Sequence, residues 1–196
     1  LKDAELVIKI LEKKGIIDLT IQRSLLTGMQ LDRVKSSIAS LDNLYMREAV
    51  KRGYVCRTSD YNENEERIKG GFVRDSIPGI YDFIDVLDFK SLYPSIIRTF
   101  NIDPLSFVQK DSKTSNERVS GKSEGLIVAP NGARFRKETG ILPEIIQHLW
   151  EQRDIAKKKK NAVETYAIKI TMNSFFGVLA NPMCRFFSLD MANAIT

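Results

Sequence analysis

Histidine and cysteine are almost missing from this chain: His148 is the one histidine, and Cys56 and Cys184 are the only cysteines among 196 residues. The cysteines lie far apart, with no CxxC pairing, so neither a zinc site nor a Cys–His nucleophile can be assembled from what is present. No apolar run approaches the length of a membrane span. No signal-peptide pattern precedes the first helical segment. The expectation is a cytoplasmic, reducing setting without membrane contact.

What is present is an ordinary globular composition. Hydrophobic residues make up 43% of the chain, enough to bury a core in one good-sized domain or two small ones. The net charge of +5 permits a polyanionic partner without demanding one, because a solvated lysine-rich surface leaves the same signature. There is no starting Met, and helical pattern runs at both ends ("LKDAELVIKILEKKG" and "MANAIT"), so the chain reads as a piece of something longer.

Apolar residues from Leu1 to about Gly53 recur at helical spacing: Leu6, Ile10 and Leu11, then Leu31, Val34 and Ile38, then Leu41, Leu44 and Tyr45. Asp32 and Asp42 stand where helix starts are plausible, and Gly15, Gly28 and Gly53 where helices end. Residues 54–80 are polar and glycine-bearing, a boundary between two units. "IYDFIDVLDF" reads as a strand, and Pro94 suits the first turn of a helix through "SIIRTF". Residues 109–125 read as an exposed, mobile insertion. A short strand "LIVAP", a turn "NGAR", a helix from Pro143 into the lysine run and a second from about Val163 to Leu179 follow. The short link "KKNA" predicts an antiparallel helical hairpin. The fold class expected is α/β in the α+β sense.

The hairpin carries the first chemistry. Arg153 and Lys157 share a face of one arm, and Lys169, Asn173, Phe176 and Gly177 share a face of the other. Together they could grip a triphosphate and offer an aromatic surface to a base pair. Taken alone, the same stretch reads first as a wet face, Arg153 and Lys157 to Lys160, over core Phe175 and Phe176. Asp88 carries the second. An acid at a strand end, with the Phe89 carbonyl beside it, can offer oxygen ligands to a hard cation, and phosphoryl transfer relies on such charge neutralisation. Amides of the following turn could cradle phosphate oxygens. A lone Asp there is also an ordinary turn residue.

Two stretches in this order, "DFKSLYPSII" at 88–97 and "KITMNSFFG" at 169–177, resemble the polymerase signatures of family B DNA polymerases. "GILPEIIQHLWEQRDIAKK" at 140–158 resembles that family's first fingers helix, "IKGG" at 68–71 its motif linking exonuclease and polymerase domains, and "LKDAELV" the tail of its third exonuclease motif. "SLYPSIIRTFNIDP" and "CRFF" are most similar to the bacterial and archaeal polymerase II type.

The resemblance implies an exonuclease edge at 1–53, a linker at 54–80, a partial palm at 81–139, fingers at 140–180 and a return toward the palm at 181–196. It implies template-directed transfer from dNTP to a primer 3'-hydroxyl, with two Mg²⁺ in the complete enzyme. Asp88 and the Phe89 carbonyl would bind metal, and Asp3 would be a ligand of the exonuclease site. Ser91 and Leu92 would touch the triphosphate through their amides, and Tyr93 would exclude a 2'-hydroxyl. Arg153, Lys157, Lys169 and Asn173 would hold phosphates, with Lys169 also counted as catalytic. Phe176 would abut the nascent pair, and Gly70, Gly71 and Gly177 would lie along DNA. Primer-template DNA and dNTP are the implied partners, and a sliding clamp would be reached through regions outside this chain.

The chain also departs from the family pattern. Phe176 stands where Tyr is usual, Ile68 where the linking motif opens with Tyr, and the paired-acid hairpin with the second metal-binding Asp is not in these residues, nor is a thumb. The isolated chain is therefore expected to be inactive. An inactive polymerase relative that only binds DNA is the alternative, and a nucleotide-binding regulator without a DNA partner a third reading.

Overall fold

A computed structural model describes residues 2–59, 68, 70–108 and 125–196. The expected insertion at 109–125 and the middle of the 54–80 boundary fall almost wholly outside the described residues.

The N-terminal third is helical, as its periodicity predicts. α1 (Lys2–Lys13) has Asp3 and Glu5 in its first turn and Lys13 in its last, matching the helix dipole, and Glu5 pairs with Lys9 at 2.8 Å. None of its side chains is buried. α2 (Ile16–Thr27) is bracketed by Gly15 and Gly28, both left-handed with φ of 59° and 70°. α3 (Ser37–Lys51) is capped by Ser36, whose Oγ accepts from the Ala39 amide at 3.3 Å.

Asp32 and Asp42 do not start helices. Asp32 sits in a turn, and the cap is taken by the Ser36 hydroxyl. Asp42 lies within α3, where its carboxylate accepts from Arg185 Nε at 3.0 Å and ties the helix to the segment after the hairpin.

The expected strand at 80–89 is likewise absent. Those residues are open, with Ile80, Phe83 and Leu87 almost wholly exposed, and none of them is paired in a strand ladder. A strand needs a neighbour to take its N–H and C=O groups; this segment has no ladder partner among the described residues, and it bends at Phe83, which has a left-handed φ of 58°.

α4 (Leu92–Thr99) starts two residues before Pro94, which is buried in its first turn. β1 (Phe107–Val108), β2 (Leu126–Val128) and β3 (Arg134–Arg136) form an antiparallel sheet in the order β1-β3-β2, with Phe107 and Ile127 both opposite Phe135. The turn between β2 and β3 closes through Gly132, at φ of 82°, and an Asn131 Oδ1 that accepts from Ala133 N at 3.1 Å.

α5 (Ile141–Lys158) and α6 (Ala162–Leu179) make the hairpin. Their three-residue link ends at Asn161, whose side chain accepts from the Glu164 amide at 3.1 Å and caps α6. α7 (Leu189–Asn193) follows, capped by Ser188.

One core joins α3, α4, the sheet, the hairpin and α7. Leu41, Ile97, Phe135, Leu142, Ile146, Met172, Phe175 and Leu179 are all buried in it, each contributing on the order of 1.5–3 kcal/mol. α2 packs on α6, and α4 lies against both arms of the hairpin. The architecture is mixed, mostly helical with a small sheet. No described helix is long and apolar enough to cross a membrane.

Candidate functional site

The two sequence signatures meet where α4 begins. After the open segment ending at Asp88 and Phe89, the chain turns at Ser91, which adopts a left-handed φ of 56° and serves as the N-cap of α4. Its side chain makes no capping bond. Instead Ser91 Oγ accepts from Arg153 Nη1 of α5 at 3.2 Å. The Arg153 Nε is buried with no hydrogen-bond partner. Two residues on, the ring of Tyr93 lies 4.7 Å from that of Phe176 on α6, tilted by 35°. Ser91, Tyr93, Arg153 and Phe176 thus converge from three helices, and Tyr93 keeps 36% of its surface open to solvent.

The remaining predicted residues surround this contact without joining it. Asp88 and Phe89 are exposed on the approach, and Leu92 is exposed in the first turn of α4. Lys157, Lys169 and Asn173 are exposed on the hairpin and make no hydrogen bond or ion pair with Ser91 or Tyr93. Gly177 is exposed, and a Cβ there would meet nothing within 4 Å, so close approach from outside is open. Gly70 is equally open, whereas a Cβ on Gly71 would lie 3.5 Å from the Thr196 carbonyl. Asp3 lies on α1, a helix that packs on α2. Phe175, the other aromatic of the signature, is fully buried core.

For a hard cation, Asp88 and the Phe89 carbonyl are suitable oxygen donors. Among the described residues, no group of three His, Cys, Asp or Glu side chains is placed to hold a metal ion. The donor set therefore fits one side of a metal site and is insufficient by itself for two ions.

Sequence reasoning missed the residues that hold this site together. Lys90 and Arg98 both sit over the Trp150 ring of α5, at 5.3 and 5.2 Å from its centroid. Lys90 also faces Asp154 at 4.0 Å. At the other end of α5, Asp103 is fully buried and accepts from the amides of Leu142, Leu105 and Ser106 and from the Tyr45 hydroxyl. Burial pushes its carboxyl above the usual carboxylate range, against the pull of those donors. Burial, with Asp103 beside it, pushes the Tyr45 phenol up as well. The available signal was "FNIDP", an Asn and an Asp just past a helix end, where such side chains bind nearby backbone.

The chain is similar to known proteins along nearly all of its length. The model of DNA polymerase family B matches residues 22–196. DNA polymerase II of Escherichia coli is 40% identical over 196 residues, a match covering all of this chain and 24% of that protein. A DNA polymerase of Desulfurococcus sp. is 30% identical over 202 residues, covering 93% of this chain and 25% of that protein. Among solved structures, the family B DNA polymerase of the hyperthermophilic archaeon Pyrobaculum calidifontis superposes with a TM-score of 0.70 at 28% identity, over 96% of this chain and 26% of that one. The chain thus spans about a quarter of the length of these relatives. With both signatures brought into contact and the match running from α2 to the last residue, this chain belongs to the family B DNA polymerases.

Proposed function

We propose that the chain serves template-directed nucleotidyl transfer, in which a primer 3'-hydroxyl attacks the α-phosphorus of a dNTP and pyrophosphate leaves. The observation that carries this reading is the Arg153–Ser91 hydrogen bond, which sets a fingers-type guanidinium against the turn at the start of α4. That guanidinium retains a buried Nε without a partner, a donor suited to a phosphate oxygen. On this reading residues 81–139 are part of the palm, 140–180 the fingers, 181–196 the return to the palm, 54–80 a linker and 1–53 an exonuclease edge.

Each residue then has a task. The first-turn amides of α4, around Ser91 and Leu92, point at phosphate oxygens, as helix N-termini do. Arg153, Lys157, Lys169 and Asn173 hold the triphosphate, Lys169 and Asn173 from α6. Tyr93 packs against the deoxyribose, and Phe176, half-buried behind it, backs the new base pair. Gly177, Gly70 and Gly71 leave room for DNA backbone. Asp88 and the Phe89 carbonyl would hold Mg²⁺, with Asp3 assigned to an exonuclease metal. Held there, the ion would supply charge neutralisation at the phosphates and would favour loss of the 3'-hydroxyl proton. A sliding clamp and a cytoplasmic location belong to the same proposal.

Primer extension by a full-length polymerase carrying this chain is the test. Mg²⁺-dependent, template-directed incorporation is expected. Binding of primer-template without any incorporation would overturn the reading in favour of an inactive DNA-binding relative.

A further inference from the structure

We infer that Asn101 and Asp103 are positioning residues for the nucleotide, acting as a shared N-terminal cap that fixes the tilt of α5 and hence the place of Arg153 against Ser91. This rests on the polymerase reading above and adds to it two residues that touch neither substrate nor metal.

The cap is unusual in where it comes from. Helix starts leave amides without intrahelical partners, and a side chain at the N-cap position normally accepts from them. The N-cap of α5 is Gly140, which has no side chain to offer. The acceptors come instead from the loop that leaves α4. Asn101 Oδ1 accepts from Gly140 N at 2.9 Å, and Asp103 Oδ1 accepts from Leu142 N at 2.8 Å. Both donors lie 39 residues further along the chain.

The loop itself is rigidly tied. Asn101, left-handed at φ of 52°, donates through Nδ2 to the carbonyls of Arg136 and Glu138 at 2.7 and 2.8 Å. Asp103 Oδ2 accepts from Leu105 N, Ser106 N and the Tyr45 hydroxyl at 2.8, 3.2 and 3.1 Å. Ser106 Oγ donates to the Asn101 carbonyl at 2.6 Å. A Cβ on Gly140 would fall 2.5 Å from the Asp103 Cβ, so the close approach of loop to helix requires glycine there.

The consequence is mechanical. Leu142 and Arg153 are eleven residues apart on one helix, about 16 Å at the usual rise, so a tilt of about 4° at the base moves the guanidinium by about 1 Å. Displacements of that size at a substrate-gripping group cost up to about a hundredfold in rate. The loop grows directly out of α4, whose N-cap is Ser91 and whose first turn carries Tyr93. One rigid connection therefore sets the two halves of the nucleotide site relative to each other.

The test uses a full-length polymerase carrying this chain, measuring dNTP KM and kcat by single-nucleotide extension, primer-template Kd by fluorescence anisotropy, and Tm. Asp103→Ala should raise dNTP KM about tenfold or more with primer-template Kd unchanged. Asp103→Asn keeps an acceptor at Leu142 N but turns an amide NH₂ toward the Leu105 and Ser106 amides. It should lower Tm yet hold KM within about twofold of wild type. Asn101→Gly keeps the left-handed backbone and frees the Gly140 amide, so it should raise KM even if Asp103→Ala does not fold. Equal KM values in wild type, Asp103→Ala and Asn101→Gly, whatever their Tm, would overturn the inference and leave a core polar cluster. Arg153→Ala separates the two claims. If it raises KM and neither cap variant does, this inference alone falls; if it leaves KM untouched, the nucleotide reading of the hairpin falls and takes the inference with it.

Discussion

Tyr93 and Phe176 stand ring against ring, 4.7 Å between centroids, one at the start of α4 and the other near the end of α6. The phenylalanine supports one face of the tyrosine, and the exposed remainder of that ring is available to a sugar. In a full-length polymerase carrying this chain, Tyr93→Val should therefore lower the ratio of kcat/KM for dNTP over rNTP by an order of magnitude or more. An aromatic half open to solvent loses less on truncation than the roughly 3–5 kcal/mol of a buried one, so the melt should move only slightly. An unchanged ratio beside a large fall in Tm would leave Tyr93 as packing.

Asp88→Asn preserves shape and removes charge. Loss of the carboxylate should collapse the chemical step while primer-template affinity stays close to wild type, because the substitution touches cation binding and not the basic surface. Near-normal extension by the variant would reduce Asp88 to a turn residue.

Lys169 is exposed on α6 and has no partner within the hairpin site, so its value should appear only when a triphosphate is present. Lys169→Ala is expected to lower kcat/KM for dNTP roughly tenfold or more, the worth of a charge-assisted hydrogen bond, with primer-template Kd unmoved. Parallel weakening of both would place Lys169 on the DNA track.

Asp103 makes a prediction about pH. Its carboxyl is held above the ordinary value of 3.8 by burial, so across the window that begins there and extends up to its native value the folded chain keeps a proton that the unfolded chain has released. Stability from this group must then fall as pH rises through the window, opposite to the usual salt-bridged carboxylate. Urea melts at stepped pH should show that slope in the wild-type chain, and Asp103→Asn should flatten it. An identical slope in the variant would assign the effect to another group.

How much of this was visible in the sequence depended on the reach of each interaction. The hairpin was legible because its apolar residues repeat every turn and its link is three residues long. The helices of the first third were legible for the same reason, although periodicity could not say that α1 would bury none of its apolar face. "IYDFIDVLDF" looks like a strand, and pattern is silent about whether a partner backbone lies alongside. Asp32 and Asp42 were misplaced because a serine can cap as well as an aspartate, and because the guanidinium that claims Asp42 lies 143 residues away. Asn101 and Asp103 were missed for a similar reason: their acceptors serve a helix whose donors are remote in sequence. The convergence of Ser91 with Arg153 was reached only through resemblance, since no local rule joins positions 62 residues apart.

The tryptophan between Lys90 and Arg98 has an optical consequence. It is the chain's one indole, it belongs to α5, and the two cations over it belong to the turn before α4 and to α4 itself. Indole emission responds to the field of nearby charge, so any parting of these helices is written directly into the colour and yield of a single intrinsic fluorophore. The molecule carries its own gauge of the spacing between the turn at Ser91 and the helix that bears Arg153, readable without a label.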